Sequence, residues 1–206
     1  LERKDPLYYI KYGPFVLATV RPETKFGDTA LAVHPKDKRY KDWIGKEIGV
    51  EGLLGQFKLK VIADEYVDPK FGTGVVKVTP AHDPNDFEMG KRHNLETKQI
   101  IDLNGKLTNL TGPYAGLKVK VAREKVVEDL KKKGLIEKID EGYLHSVTVC
   151  YKCGHDLEPT IMPNWFIKVE GLKEKVKKVV INNDVKFYPT RYKKHMLNWL
   201  EIMHDW

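Results

Sequence analysis

The sequence predicts an α+β fold with a small barrel-like β-core, peripheral helices and a C-terminal appendage. Many short apolar runs are separated by glycine and proline, whereas only a few segments space their apolar residues as a helix does. Short strands with irregular crossings and few helices favour a mixed core over a regular strand–helix alternation. The composition shifts near residue 149, so we predict a main domain over residues 1–148 and an appendage over residues 149–206.

The N-terminal half of the chain is predicted to form short strands. Residues 7–12 and 14–20 are rich in aromatic and β-branched side chains, and Gly13-Pro14 between them predicts a hairpin-like break. Similar apolar or alternating runs predict strands over residues 30–33, 58–63 and 74–79.

The second half contains the predicted helices. Asp83 as N-cap and Pro84 at the first helical position predict a helix that ends near His93. Apolar residues at helical spacing predict a second helix over 119–133, which Gly134 ends. Strands are predicted over 99–103, before the turn Asn104-Gly105, and over 143–149 and 165–169, and further helices over 172–181 and 192–206.

Composition excludes several classes of protein. The 206 residues are 41% hydrophobic and 32% charged, and no run approaches the length of a membrane span. The first residues lack the apolar core of a signal peptide, so we expect a cytoplasmic protein that makes no membrane contact. The formal net charge of +7 is suited to a polyanion such as RNA, and is equally compatible with a merely basic surface.

The first candidate site segment is Thr19-Val20-Arg21-Pro22-Glu23-Thr24, followed by Gly27-Asp28-Thr29. The guanidinium of Arg21 is suited to bidentate binding of a phosphate or carboxylate. Thr24 is suited to a hydrogen bond with a small polar group of a substrate. The alternative is a turn in which threonine and glutamate side chains cap backbone amides.

The second candidate segment contains Asp83 and Asp86, three residues apart and therefore on one face of a first helical turn. Two carboxylates there are suited to a substrate ammonium, although a plain N-cap role for Asp83 predicts the same residue. Lys77 and Thr79 share a strand face and are expected to line the same pocket. His82 is either a general base or a surface histidine.

The third candidate is the pair Cys150 and Cys153, in the sequence Cys-Tyr-Lys-Cys-Gly-His. A C-x-x-C-G turn is typical of one half of a zinc knuckle, but a structural zinc site needs four ligands. His155 is a weak third ligand. The remaining ligands therefore lie outside this chain, or the half site is vestigial and empty.

These segments together resemble the inserted editing domain, called connective peptide 1, of class I aminoacyl-tRNA synthetases specific for branched aliphatic amino acids. Two motifs carry the resemblance, the threonine-rich segment 19–24 and the G-T-G…P-A-H-D…D-F segment 72–87. Within the group the chain is most similar to the valyl-specific members, in the segments 62–68, 77–87, 90–94 and 198–200. The resemblance spans essentially the whole chain.

The resemblance implies hydrolysis of the ester of a mischarged tRNA, with threonine as the wrong amino acid for the valyl type. It implies as partners the 3′-terminal aminoacyl-adenosine of tRNA and the remainder of a synthetase chain. No cofactor is implied for editing, whereas zinc is implied for a longer parent chain that carries a second C-x-x-C pair. The signatures of amino-acid activation, H-I-G-H and K-M-S-K-S, are absent from these residues, so we expect no activation of amino acids by them.

The resemblance also implies roles for site residues. Asp83 would hold the α-ammonium, Asp86 and Lys77 would help to recognise the threonyl group or the adenosine, and Arg21 would lie near the 3′-terminal nucleotide. The implied catalytic residues are Asp83, Asp86 and Lys77, and the implied substrate-binding residues are Arg21, Thr24, Thr79 and Thr19.

Two departures from the family pattern and two alternatives accompany this interpretation. Position 20 is Val where a second threonine is expected, and Lys25-Phe26 stands where apolar residues are usual. Neither departure removes an implied ligand. The alternatives are an editing site of leucyl-type specificity and a tRNA-binding module that is inactive when excised.

Overall fold

The computed structural model describes residues 1–206 in two compact units, Leu1–Ile161 and Met162–Trp206. The larger unit contains seven strands and two α-helices. In chain order these are β1 (Glu2–Tyr12), β2 (Phe15–Thr19), β3 (Ala30–Val33), β4 (Glu47–Gly52), β5 (Gly55–Ala63), β6 (Val75–Val78), α1 (Pro84–Arg92), α2 (Val119–Lys132) and β7 (Ile136–Ser146). The smaller unit contains α3 (Glu170–Ile181) and α4 (Arg191–Ile202). The larger unit extends beyond residue 148, and the predicted domain limits stay a prediction.

The first sheet has the strand order β2-β1-β7, and both pairs are antiparallel. The hairpin predicted from residues 7–12 and 14–20 is confirmed. Its turn needs a glycine, because Gly13 has a φ of +59° and a Cβ there would lie 2.5 Å from the carbonyl oxygen of Gly49. The strand predicted over 143–149 overlaps only the end of β7, which begins at Ile136.

The second sheet has the order β4-β5-β3-β6, with β3 and β5 parallel and the other pairs antiparallel. The strands predicted over 30–33, 58–63 and 74–79 correspond to β3, β5 and β6. Strand β4 was not predicted, although Ile48 and Val50 are buried and alternate with exposed neighbours. That period of two is the signal that would have found it.

The prediction of a barrel-like core is not confirmed. The seven strands form two separate open sheets, and no backbone ladder joins the edge strand of one sheet to that of the other. A barrel requires every strand to be paired on both sides, whereas β2, β7, β4 and β6 are each paired on one side only. The broader prediction of a mixed fold of strands and helices is confirmed.

Both predicted helices of the larger unit are present as α1 and α2. Helix α2 packs into the main core through Ala122, Val126 and Leu130, which are fully buried and spaced by four residues. The strand predicted over 99–103 is wrong, since this segment makes one isolated bridge between Ile101 and Leu107. Its chain turns at Gly105, where the φ of +69° suits the predicted Asn-Gly turn.

The smaller unit is largely helical. Helices α3 and α4 confirm the predictions over 172–181 and 192–206, except that α4 ends at Ile202. The strand predicted over 165–169 is wrong. Ile167 exchanges two backbone hydrogen bonds with Trp206, at 2.6 and 3.1 Å, without forming a ladder. Across the structure, no helix combines the length and apolar character that a membrane crossing requires.

Lys25 is a buried cation in the core of the larger unit. Its Nζ lies 3.4 Å from the centroid of the Tyr12 ring and has no hydrogen-bond partner. Burial lowers the pKa of Lys25 from 10.5 to about 8, although Asp28 nearby acts in the opposite direction. The charged form therefore destabilises the fold below pH 8, and this cost disappears as the pH rises from 8 to above 10.5.

We expect Lys25→Met to raise the free energy of unfolding at pH 7 by about 1–3 kcal/mol, because an apolar side chain replaces a poorly solvated ammonium. Urea unfolding at pH 7 and at pH 10.5 measures the effect, and the gain should nearly vanish at the higher pH. Lys46→Met, at an exposed lysine 5.9 Å from the Trp43 ring centroid, is the matched control and should change little. An equal gain at both pH values would contradict the burial argument.

Candidate functional site

A pocket of about 170 Å³ opens in the larger unit between the end of β2, the 3-10 helix Pro22–Gly27, strand β6 and the start of α1. The structure brings all seven predicted pocket side chains together there. They are Thr19, Arg21, Thr24, Lys77, Thr79, Asp83 and Asp86. Two motifs that are separated by almost 50 residues in sequence therefore form one concave surface, although the roles of the individual residues stay predictions.

Lys77 organises one wall of the pocket. Its ammonium donates hydrogen bonds to Thr24 Oγ1 and Thr79 Oγ1, both at 2.7 Å, and to Asp28 Oδ1 at 3.2 Å. The side chain of Asp28 is fully buried, and Asp28 also accepts from Thr79 Oγ1 at 2.7 Å and from Tyr12 at 2.6 Å. An ammonium has three protons, so Lys77 has no donor left for a ligand.

Asp86 lines the pocket from the first turn of α1. One of its carboxylate oxygens accepts the backbone N–H of Thr79 at 2.8 Å. Burial raises the pKa of Asp86 to about 7, against the attraction of Lys77, and the charge of Asp83 raises it further. Both protonation states are therefore populated near neutral pH, and a nearby cation would favour the ionised state.

Asp83 has the N-cap role that the sequence predicts. Its Oδ1 accepts the backbone N–H groups of Asn85 at 2.8 Å and of Asp86 at 3.1 Å. Its other carboxylate oxygen accepts no hydrogen bond from the protein, and the half-buried side chain lines the pocket. Capping and ligand binding are therefore compatible, because they use different oxygens.

Arg21 is held by the protein on every side of its guanidinium. Nε donates to Glu23 at 3.1 Å, Nη2 donates to both carboxylate oxygens of Glu158 at 2.7 and 2.9 Å, and Nη1 donates to the His82 carbonyl at 3.3 Å. Glu23 is fully buried and also binds Arg123 through two hydrogen bonds of 2.8 Å. Arg21 therefore joins three segments of the chain at the edge of the pocket.

The structure also contains hydrogen bonds of the kind that the turn interpretation of segment 19–24 predicts. Thr19 Oγ1 accepts the backbone N–H of Arg21 at 3.0 Å, and Thr24 Oγ1 donates to the Arg21 carbonyl at 2.9 Å. Both hydroxyls also line the pocket. The threonines thus shape the turn locally and remain available to a ligand through their unused lone pairs.

His82 is buried, so the prediction of a surface histidine is wrong, whereas the general-base prediction stays a prediction that the hydrogen bonds of the ring do not favour. The ring is buried, and Nε2 accepts the backbone N–H groups of Ile100 at 3.0 Å and Ile101 at 3.3 Å. Burial lowers the pKa of His82 to about 4. A ring nitrogen that accepts two N–H groups carries no proton, so we assign the proton to Nδ1, which faces the Pro159 carbonyl at 3.3 Å.

The two cysteines lie at the tip of a short hairpin closed by a bridge between Val149 and Asp156. Backbone N–H groups of Cys153 and Lys152 lower the pKa of the Cys150 thiol, which favours the thiolate that a metal requires. In this chain no cluster of three or more histidine, cysteine or acidic side chains could hold a metal ion. His155 therefore forms no three-ligand cluster with the two cysteines, and the zinc half site stays a prediction.

Comparison with family models matches residues 52–141 to the family described as "Leucyl-tRNA synthetase, editing domain". Curated relatives match the whole chain. The valine–tRNA ligase of Petrotoga mobilis is 54% identical over 211 residues, which is 100% of this chain and 24% of that protein. Those of Thermotoga maritima and Carboxydothermus hydrogenoformans are 46% and 47% identical, with the same coverage.

This chain belongs to the editing-domain family of the class I aminoacyl-tRNA synthetases. The resemblance stated from its motifs is confirmed. The editing domain spans about a quarter of the length of the curated relatives it matches. A solved structure described as "The crystal structure of GlLeuRS-CP1" is 17% identical, with a TM-score of 0.48, and covers 60% of this chain and 81% of that chain. A likeness of that size carries no argument.

Sequence reasoning missed several residues that position the pocket of this editing domain. Asp28 lies in the Gly-Asp-Thr segment beside the first motif, but nothing local shows that Lys77 is its partner. Glu23 is part of that motif, and its ion pair with Arg123 joins residues 100 positions apart. Glu158 has no sequence signal, because its partner Arg21 is 137 residues away.

Proposed function

We propose that this editing domain hydrolyses the ester bond of threonyl-tRNA(Val), as part of a valine-specific synthetase chain. The observation that supports this most directly is the polarity of the pocket walls. The carboxylates of Asp83 and Asp86 line the same pocket as two hydroxyls that Lys77 holds. An aminoacyl ester of threonine carries an ammonium and a hydroxyl, which are the groups such walls would bind.

The α-ammonium would be held by Asp83 through its unused oxygen, with Asp86 as the second carboxylate. A charge-assisted hydrogen bond of this kind stabilises a complex by about 1.5–3 kcal/mol. The cation would also convert Asp86 fully to its ionised form, since an opposite charge lowers the pKa that burial has raised. Part of the binding free energy is therefore used to ionise this carboxyl.

The hydroxyl of threonine would be recognised by Thr24 and Thr79. Lys77 donates to both of these side chains, while Thr24 donates its own proton to the Arg21 carbonyl and Thr79 donates to Asp28. Each protein hydroxyl is left with one acceptor lone pair and no proton. The pair is thus prepared to accept a hydrogen bond from a substrate hydroxyl. Lys77 acts by orienting them and not by touching the substrate.

This arrangement would reject valine for a physical reason. Valine and threonine are nearly isosteric, and for valyl-tRNA synthetases an apolar pocket is known to discriminate between them only about a hundredfold. The methyl group of valine cannot donate to Thr24 or Thr79. It would leave their lone pairs desolvated without a partner, at a cost of about 1–3 kcal/mol. The polar editing pocket would therefore select threonine, the amino acid that an apolar pocket does not exclude.

In the proposed reaction a water oxygen attacks the ester carbonyl carbon, the carbon–oxygen bond to the ribose breaks, and the ribose oxygen takes a proton. The products are threonine and tRNA. His82 is not the base in this proposal, since its unprotonated nitrogen Nε2 already accepts two backbone N–H groups. The neighbouring ribose hydroxyl of the terminal adenosine would assist a positioned water. No cofactor enters the proposal, so a chelator should leave the rate unchanged.

Deacylation of threonyl-tRNA(Val) by the 206-residue chain tests the proposal, with valyl-tRNA(Val) as the matched substrate. We expect hydrolysis of the threonyl ester at least tenfold faster than that of the valyl ester, because the lost hydrogen bonds alone account for that ratio. Binding of tRNA without turnover would support the alternative of a binding module that is inactive outside its synthetase. Preferred hydrolysis of apolar esters on tRNA(Leu) would support a leucyl-type specificity.

A further inference from the structure

Glu158 is the only residue that binds Arg21 with two oxygens. The two distances, 2.7 and 2.9 Å to the same nitrogen, describe a close ion pair, and both side chains are about three-quarters buried. Pairs that are partly removed from water are less screened than surface pairs and are geometrically more specific. Glu158 comes from the segment after the cysteine hairpin, which is not part of either editing motif.

The other end of the same guanidinium reaches the loop that carries the catalytic carboxylates. Arg21 Nη1 donates to the His82 carbonyl at 3.3 Å, and His82 directly precedes Asp83. The segment of Glu158 contacts this loop a second time, because the Pro159 carbonyl faces His82 Nδ1 at 3.3 Å. A continuous chain of contacts therefore leads from Glu158 through Arg21 to Asp83.

We propose that Glu158 is a positioning residue of the editing pocket, which holds Arg21 against the His82 carbonyl and so sets the place of the Asp83 carboxylate. The inference rests on the proposed function for its effect on catalysis. It also assigns Arg21 a different task from the predicted one. Four of its five N–H donors are used by Glu23, Glu158 and His82, so its main role is to shape the pocket edge.

A neighbouring acidic residue provides the matched control. Asp156 accepts two hydrogen bonds from Arg3 Nη1, at 2.9 and 3.0 Å, and lies 3.8 Å from Lys120. It anchors the same segment to strand β1 but does not line the pocket. Two isosteric substitutions can therefore separate two effects. One substitution loosens the segment without touching Arg21, and the other breaks the contact with Arg21.

The experiment compares Glu158→Gln with Asp156→Asn in the 206-residue chain. We expect Glu158→Gln to lower kcat/KM for threonyl-tRNA(Val) about tenfold, because small misplacements in a site can cost up to about a hundredfold. Asp156→Asn should leave it within about twofold. Backbone amide NMR signals of His82 and Asp83 should shift in Glu158→Gln only. The Arg21→Gln/Glu158→Gln double variant should be no slower than the slower single variant, since the two residues act in series.

Each result supports or overturns the inference. Equal loss of activity in Glu158→Gln and Asp156→Asn would show that Glu158 merely anchors its segment. Unshifted amide signals at His82 and Asp83 in Glu158→Gln would remove the positioning role, whatever the activity. If the unsubstituted chain fails to hydrolyse threonyl-tRNA(Val), the proposed function fails, and the amide signals still decide whether Glu158 positions the loop.

Discussion

Asp86→Asn is expected to lower kcat/KM for threonyl-tRNA(Val) by about a hundredfold while making the folded protein more stable at pH 8. The loss of activity follows from removing one of the two carboxylates that face the ammonium, since a charge-assisted hydrogen bond contributes about 1.5–3 kcal/mol. The gain in stability follows from burial, because Asp86 is 8% exposed and pays for its charge without a direct cationic partner.

The direction of the stability change follows from the pH at which Asp86 ionises. The pKa of Asp86 is about 7 in the folded chain and 3.8 for an ordinary aspartate, so the folded state binds more protons between those values. Its contribution to stability is therefore present below pH 4 and is lost as the pH rises through 7. About three pKa units set a ceiling of about 4 kcal/mol, and we expect about 1–3 kcal/mol after relaxation of the surroundings.

Urea unfolding of Asp86→Asn and the unsubstituted chain at pH 4 and pH 8 measures this difference. The amide oxygen of asparagine still accepts the N–H of Thr79, so the two chains should differ little at pH 4. Glu88→Gln serves as the control, because it removes a carboxylate on the exposed side of α1 that is not desolvated by burial. Greater destabilisation of Asp86→Asn at pH 8 than at pH 4 would show that Asp86 stabilises the fold when ionised.

The second large effect concerns Asp83, whose two functions are separated by two substitutions. Asp83→Ala removes both the N-cap and the charge, so we expect a loss of about 1 kcal/mol in the free energy of unfolding and about a hundredfold in kcat/KM. Asp83→Asn keeps an oxygen that caps the helix and removes only the charge. We expect its free energy of unfolding to stay within about 0.5 kcal/mol of that of the unsubstituted chain. Its kcat/KM should fall nearly as far as that of Asp83→Ala.

Chemical denaturation and deacylation kinetics on the same preparations measure both quantities. Wild-type rates in Asp83→Ala would exclude Asp83 as the ammonium ligand. Full activity in Asp83→Asn together with loss in Asp83→Ala would mean that the helix cap, and not the charge, is what the pocket requires.

Local signals predicted the elements that local physics controls. The helix start at Asp83-Pro84, the end of α2 before Gly134 and the strand Ala30–Val33 follow from capping, backbone freedom and continuous apolar character. The segments 99–103 and 165–169 are also mostly apolar but did not become strands. A strand forms only where a neighbouring strand completes its ladder of backbone hydrogen bonds. These two segments make only isolated backbone contacts.

Sequence alone was sufficient to identify the editing family and to nominate the seven pocket residues, because their motifs are contiguous and their chemistry is local. Only the tertiary structure decided that the sheets stay open, that His82 is a buried acceptor, and that Asp86 is poised near neutral pH. It also placed Asp28 and Glu158 behind the predicted ligands. Burial and long-range ion pairs are properties of distances in space, and no spacing along the chain encodes them.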